Sequence, residues 1–336
     1  MLHLGDSIVA IHTSVLPVID GDGSDAAWTD ASWIDLNYTW IPYSITLPSA
    51  ECSGRYKVTW NKTTNLLYLL VEITDEALVT GYVFSPSDGS YPNYDVVEVF
   101  LDEDRPGSYH AKNNSAFAYH ITAGNANTDH DVIDIYDTTP GAGWDWSSNK
   151  VNYNSHVPEF KRTNVGRNYV WEFSMMVIDS TYTPTDDPEL FKANLTEGKE
   201  MGLTVAYCDS DIPGANPYRE NFIASKYQTL ANSNSSWENS TLFAHLILKE
   251  NISSGLENVV DLSTKIWVDG ANKLNLNVDN SWKNPQIQLF DISGRLVMQR
   301  ILSNYEGVDL GGYKSGYYLV ILKDNSKYIA RKVFVN

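Results

Sequence analysis

The chain has 336 residues, 43% hydrophobic and 12% aromatic, enough to bury a large core and to hold more than one domain. Its formal net charge is −18 and is unevenly spread: residues 259–336 carry 10 Lys and Arg against 7 Asp and Glu, the preceding part 14 against 35. A surface that acidic repels phosphate backbones and anionic lipid headgroups, which argues against nucleic acid or membrane surfaces as partners and leaves neutral glycans and divalent cations.

At the N-terminus MLHLGDSIVAIHTS lacks a charged region followed by an apolar one, and no apolar run reaches the roughly 20 residues of a membrane helix, so neither a signal peptide nor a transmembrane segment is expected. In VIDGDGSDAAW (residues 18–28) Asp20, Asp22 and Asp25 bring oxygens into the close spacing a hard cation needs, without the Gly at position six and Glu at position twelve of an EF-hand loop. Calcium at Asp20 and Asp22 is the metal expectation. From there the hydrophobic period is two nearly everywhere. Tyr56–Trp60, Leu66–Ile73, Val96–Leu101, Ala116–Ile121, Tyr169–Val177, Met201–Tyr207 and Phe243–Leu248 read as strands, rich in Val, Tyr, Phe and Thr and bounded by Gly, Asn, Asp or Pro. Only Pro188–Glu200 has the spacing of a short helix, with Leu190, Phe191 and Leu195 on one face.

The acidic strand in SYPNYDVVEVFLDED (residues 90–104) is the sharpest feature. Alternation puts Val96, Glu98 and Phe100 on one face and Asp95, Val97, Val99 and Leu101 on the other. Glu98 thus has apolar neighbours and needs hydrogen-bond partners, for which a sugar hydroxyl delivered between aromatic rings is a candidate. Trp237 lies in the polar loop NSNSSWENS with no periodic strand to pack into; it is either a platform for the C–H face of a sugar or a ring folded back over a sheet edge. Residues 251–258 form a polar break between an N-terminal domain, 1–250, and a C-terminal one, 259–336, whose strands fall around Leu274–Val278, Ile287–Ile292, Leu296–Ile301, Tyr317–Leu322 and Tyr328–Val335. The expected fold is all-β: an antiparallel β-sandwich followed by a smaller, Ig-like β-sandwich. Cys52 and Cys208 are 156 residues apart, and a disulfide and two separate thiols both remain open. Carboxylates are plentiful, but no nucleophile elbow, phosphate loop or zinc-protease run is present, so the chain is not expected to be an enzyme; a secreted glycoside hydrolase is the outlying alternative.

Four segments in order carry a resemblance: the Ile-Asp-Gly turn running to Trp28, the pair of strands in VTWNKTTNLLYLLVEITDEAL (58–78), the acidic strand DVVEVFLD (95–102), and NSSWENSTLFAHLIL (234–248). Together they resemble the family 9 carbohydrate-binding modules. That resemblance implies a polysaccharide or oligosaccharide ligand, stacked on Trp237 and, in place of the family's usual second Trp, on Tyr91, with Glu98 and Asn234 hydrogen-bonding its hydroxyls. The family's basic residue on the following strand aligns at Ala118, Tyr119 or His120, of which His120 is the candidate contact, and a family Gln falls at Ala206. It also implies structural calcium. At the C-terminus, IQLFDISGRLVMQ (287–299) and VDLGGYKSGYYLVILKDNSKYIARKVFV (308–335) resemble the sorting domain of proteins exported by the type IX secretion system of Bacteroidetes. This implies the secretion machinery as a partner, an export signal that preceded the sequence, and an extracellular or outer-surface location. A surface adhesion component built on the same fold without a sugar site is the competing expectation.

Overall fold

The computed structural model describes residues 7–49, 51–105, 107, 116–135, 149–214, 216–251, 265–277, 282, 285–302, 307–324 and 327–336. The chain divides into two compact units, Met1–Asn251 and Ile252–Asn336. Among the described residues no helix is long and apolar enough to cross a membrane.

The first unit contains β1 (Ser7–His12), β2 (Ile34–Asp35), β3 (Tyr38–Ile41), β4 (Cys52–Asn61), β5 (Leu66–Asp75), β6 (Val96–Asp102), β7 (Ala116–Thr122), β8 (Val132–Ile135), β9 (Lys150–Asn152), β10 (Glu159–Val165), β11 (Asn168–Met175), β12 (Glu200–Asp209), β13 (Asn221–Ala224) and β14 (Ala244–Lys249). They hydrogen-bond in the order β10-β11-β5-β4-β1-β14-β12-β6-β7-β8-β9, with β13 joined to β12 and β3, and β2 to β4. Pairing is antiparallel except at β1, which runs parallel to both β14 and β4 and links two halves of the sheet. Those halves share one core. Tyr56, Val58, Trp60, Leu69, Val71, Trp171 and Phe173 from one side cluster with Val97, Val99, Leu101, Tyr119, Ile121, Val205 and Tyr207 from the other, which makes the unit a β-sandwich.

Local sequence explains the turns. Between β4 and β5, Asn61 Oδ1 accepts from the amides of Thr63 and Thr64 (2.8 and 3.0 Å), and Asn65 takes the left-handed conformation that closes the hairpin. The Ile-Asp-Gly turn is anchored from below: Glu172 Oε2 accepts from the amides of Asp20 and Gly21 (3.2 and 2.8 Å), and its Oε1 from the Trp28 indole (2.8 Å). The expected helix over Pro188–Glu200 is reduced to one 3-10 turn, Pro188–Phe191, after which Lys192 bridges back to Ile178 and the Ala193 amide donates to the Val177 carbonyl. An edge hydrogen bond outcompetes helix propagation there.

In the second unit β15 (Lys265–Val268), β16 (Lys273–Asn277) and β19 (Val308–Asp309) form one sheet, and β17 (Gln286–Phe290), β18 (Leu296–Ile301), β20 (Gly316–Asp324) and β21 (Lys327–Val335) the other. Both are antiparallel, and Leu274, Ile287, Leu289, Leu310, Val320, Leu322 and Val335 form their shared core. The expected linker, 251–258, and Val278 fall outside the described residues apart from Asn251.

Candidate functional site

Strand β6 sets the site by alternation. Its Val97, Val99 and Leu101 enter the core between the sheets, whereas Val96 and Phe100 join a second apolar cluster on the outer face with Trp40 (β3), Ala206 and Cys208 (β12), Ala116 and Ala118 (β7) and Phe222 (β13). Small alanines on the strands flanking β6 leave room above the sheet. Glu98 projects into that room, opposite Ala206 on one side and His120 on the other. Around it Trp40, Pro92, Phe100, His120, Arg219, Phe222, Asn234, Ser236 and Trp237 enclose a slot of about 40 Å³.

Glu98 is 1% exposed, so its charge must be balanced locally. Its Oε1 accepts from the Cys208 thiol (2.9 Å) and lies 3.2 Å from His120 Nε2 and 4.0 Å from Arg219 Nη1. The other imidazole nitrogen, Nδ1, faces the carbonyls of Ala118 (2.7 Å) and Ile133 (3.3 Å). Both ring nitrogens of His120 therefore meet acceptors, the arrangement of an imidazolium. Burial alone would raise the Glu98 pKa and lower that of His120, but their mutual charge and hydrogen bond, with Arg219 and Cys208 adding on the Glu98 side, outweigh it: Glu98 is held below, and His120 above, its ordinary value. Burial and the Glu98 charge push the Cys208 thiol well up, so it serves as a donor and not a nucleophile. Arg219 further lies over the Phe222 ring (4.6 Å) and donates to Asn234 Oδ1 (3.4 Å).

Of the residues singled out in the sequence, Glu98, His120, Asn234 and Trp237 line this slot, and Trp237 packs part-buried against the outer apolar cluster. Tyr91 does not present a stacking face. It is fully buried, with its ring edge-on to His120 (4.6 Å between centroids) and to Tyr82 (5.9 Å), so it positions the imidazole from behind; the adjacent Pro92 is what reaches the slot. Arg219 escaped the sequence reading because it lies in the irregular loop two residues before β13, a strand of only four residues; the signal was a lone Arg in the run YRE that precedes NFIA. Among the described residues Asp20 and Asp22 are not joined by a third acidic ligand; instead Asp20 Oδ1 accepts from the Asp22 amide (3.0 Å) and Asp22 Oδ1 from the Ser24 amide (2.7 Å), which ties them into the turn. Cys52 and Cys208 are both buried and free.

Carboxylates converge elsewhere, where β5 and β12 end. Asp75, Asp209 and Asp211 bring oxygens within 4.8 Å of one another, as do Glu51, Glu76 and Asp211. Burial, then the charges of neighbouring acids, pushes Asp95 up to about 9, while burial raises Asp209 to about 8, its Asn221 hydrogen bond opposing and the Asp75 and Asp211 charges adding. Asp209 Oδ2 accepts from Asn221 Nδ2 (2.6 Å), but its buried Oδ1 has no hydrogen-bond donor among the described residues. That donor set of carboxylate oxygens with an orphaned buried member fits a hard divalent cation.

Residues 19–251 match the sequence profile described as carbohydrate family 9 binding domain-like, and residues 270–336 that of the secretion system C-terminal sorting domain. No curated protein matches the chain. The fold is similar to a carbohydrate binding module family 9 from Caldicellulosiruptor kristjanssonii in complex with cellotriose, at 20% identity over 74% of this chain and 97% of that one with a TM-score of 0.48. The same module in complex with glucose matches at 20% identity over the same shares, with a TM-score of 0.47.

Proposed function

The chain belongs to the carbohydrate family 9 binding domain-like family and carries a secretion sorting domain, which places it outside the cell or on its outer surface; from that premise we propose that it binds sugar without catalysis at the Trp237 slot. The observation that carries this reading is convergence. Glu98, His120, Arg219, Asn234 and Trp237 come from four separated stretches of chain and meet in one recess that combines an aromatic ring with charged and amide groups. A recess of about 40 Å³ is far below the roughly 300–1,000 Å³ of sites that enclose a small molecule, so a sugar ring stays outside against Trp237 while a single hydroxyl-bearing edge enters. There Arg219 and Asn234 can donate and Glu98 can accept, a pairing suited to a group that is donor and acceptor at once. Among the residues lining the slot Glu98 is the one carboxylate, whereas glycoside hydrolysis uses a pair, which supports binding over turnover.

The same small volume favours the second reading, an adhesion component in which the Glu98–His120–Arg219 network merely rigidifies the face. Binding to a panel of neutral glycans by wild type beside Trp237→Ala separates the two: loss in the variant supports the sugar site, and no binding by wild type supports the scaffold. For the cation, Asp75, Asp209 and Asp211, with Glu51 and Glu76 alongside, are the residues that would hold calcium, whose role would be to neutralise carboxylates that otherwise repel one another.

A further inference from the structure

We propose that the first unit has a second glycan subsite, an open groove next to the Trp237 slot, walled by Tyr38, Tyr43 and Tyr227 and specific for neutral oligosaccharide. The groove measures about 430 Å³, inside the range of roughly 300–1,000 Å³ typical of small-molecule sites and about ten times the slot. It forms where β3 and the loop after it cross the end of β13. Its floor is apolar and rigid: Leu36, Trp40, Cys52 and Ile223 are all buried. The buried Trp40 lines both the groove and the slot, so the two lie on either side of one indole.

The walls are exposed aromatics held in place. Tyr38 and Tyr227 are 37% and 41% exposed and meet edge to face, 5.8 Å between centroids, while the Tyr43 hydroxyl donates to the Gln228 carbonyl (3.1 Å). Exposed rings fixed by such contacts offer stacking area at small entropic cost, and their hydroxyls add rim hydrogen bonds. Asn37, Thr39, Ser44, Thr46, Ser49, Ser53 and Gln228 supply amides and hydroxyls around them. Charge decides the ligand class. A fifth of the whole chain is charged, yet none of the sixteen lining residues is Asp, Glu, Lys, Arg or His. A groove without charge, lined by four aromatic, seven hydroxyl or amide and five aliphatic or thiol side chains, is complementary to an uncharged polyol and offers nothing to a phosphate, a carboxylate or a basic peptide. The subsite does not depend on the Trp237 reading.

Affinity electrophoresis of the full chain through gels containing hydroxyethylcellulose, galactomannan, laminarin or, as the charged control, polygalacturonate tests it. The expected result is that Trp237→Ala keeps part of the wild-type retardation in at least one neutral gel and none in polygalacturonate. Adding Tyr38→Ala and Tyr227→Ala then removes the remainder, weakening apparent affinity at least tenfold with the melting temperature unchanged. Thr46→Trp, at an exposed rim position, fills the groove without deleting a core contact and should do the same. The subsite is overturned if the folded tyrosine variant and Thr46→Trp run as wild type in every gel. It is equally overturned if Trp237→Ala alone abolishes all retardation. No retardation of wild type in any neutral gel overturns the groove and the slot together.

Discussion

Replacing Glu98 by Gln keeps the side chain's shape and removes its charge, and the structure sets the cost. Glu98 is 1% exposed and its Oε1 is shared by His120 Nε2 at 3.2 Å, the Cys208 thiol at 2.9 Å and Arg219 Nη1 at 4.0 Å. Breaking a buried ion pair by removing one partner costs about 3–5 kcal/mol, because the other charge is left uncompensated. His120 can shed its proton once Glu98 no longer opposes the effect of burial, and its neutral Nε2 can accept from the introduced amide; Arg219 has no such escape. The expected loss is therefore at the lower end, about 3 kcal/mol. At about 2–4 °C per kcal/mol for a unit of this size, the melting transition of the first unit should fall by roughly 6–12 °C. The pH dependence carries a sign. Glu98, lowered from 4.5 in the fold, contributes stability that is present above 4.5 and lost as pH falls through its depressed value; His120, raised from 6.5, contributes stability that is full below 6.5 and lost as pH rises through its elevated one. The difference between wild type and Glu98→Gln should thus be widest between about pH 4.5 and 6.5. Calorimetric melting across pH 4–9 checks both points. A variant melting within about 1 °C of wild type throughout this range would refute the ion-network account.

Three further outcomes are expected. Without a cation, the raised Asp95 (about 9) and Asp209 (about 8) hold protons in the fold that the unfolded chain releases near 3.8, so stability is full below 3.8 and declines as pH rises to about 9. Melting in EDTA should fall along that course, and millimolar calcium should restore several degrees at pH 8 by binding the native state; superimposable curves with and without calcium would remove the cation. Asp209→Asn should raise the EDTA melting temperature at pH 8 by relieving repulsion and should blunt the calcium response, and a variant that keeps the full calcium shift would move the cation away from these residues. Deleting residues 252–336 should leave the first unit folded, since its core is self-contained, and should stop its appearance outside the cell, measured by fractionation; normal surface delivery of the truncated chain would refute the sorting role.

The β-sandwich core was legible because period-two alternation survives wherever a strand divides its side chains between the core and a second cluster on its other face, as along β6, where Val97, Val99 and Leu101 part from Glu98 and Phe100 as expected. Strands without that contrast were not. β10, Glu159–Val165, is a polar edge with no fully buried residue, and β8, Val132–Ile135, is only four residues long, so neither sustains a readable period. Within the site, Glu98, His120, Asn234 and Trp237 could be read from their segments, but Tyr91 could not be placed: a tyrosine beside an acidic strand looks the same in sequence whether its ring faces solvent or supports a histidine from beneath. The acidic cluster was hidden for the opposite reason. Asp75 ends β5 while Asp209 ends β12 with Asp211 just beyond it; the two strands are far apart in the chain and do not pair, and their ends meet through the packing of the sandwich, where the Tyr207 hydroxyl donates to Asp75 Oδ2 (2.7 Å), while Asp20 and Asp22, close in sequence, accept from amides of their own turn.

The central claim, sugar held at the slot, is tested most directly by isothermal titration of wild type and Trp237→Ala with neutral oligosaccharides, cellotriose among them, with circular dichroism confirming the fold of both. Truncating an interface aromatic of this kind costs about 2 kcal/mol or more, so affinity for at least one sugar should drop about thirtyfold or beyond. A folded Trp237→Ala protein with wild-type affinity for every sugar bound would contradict the account.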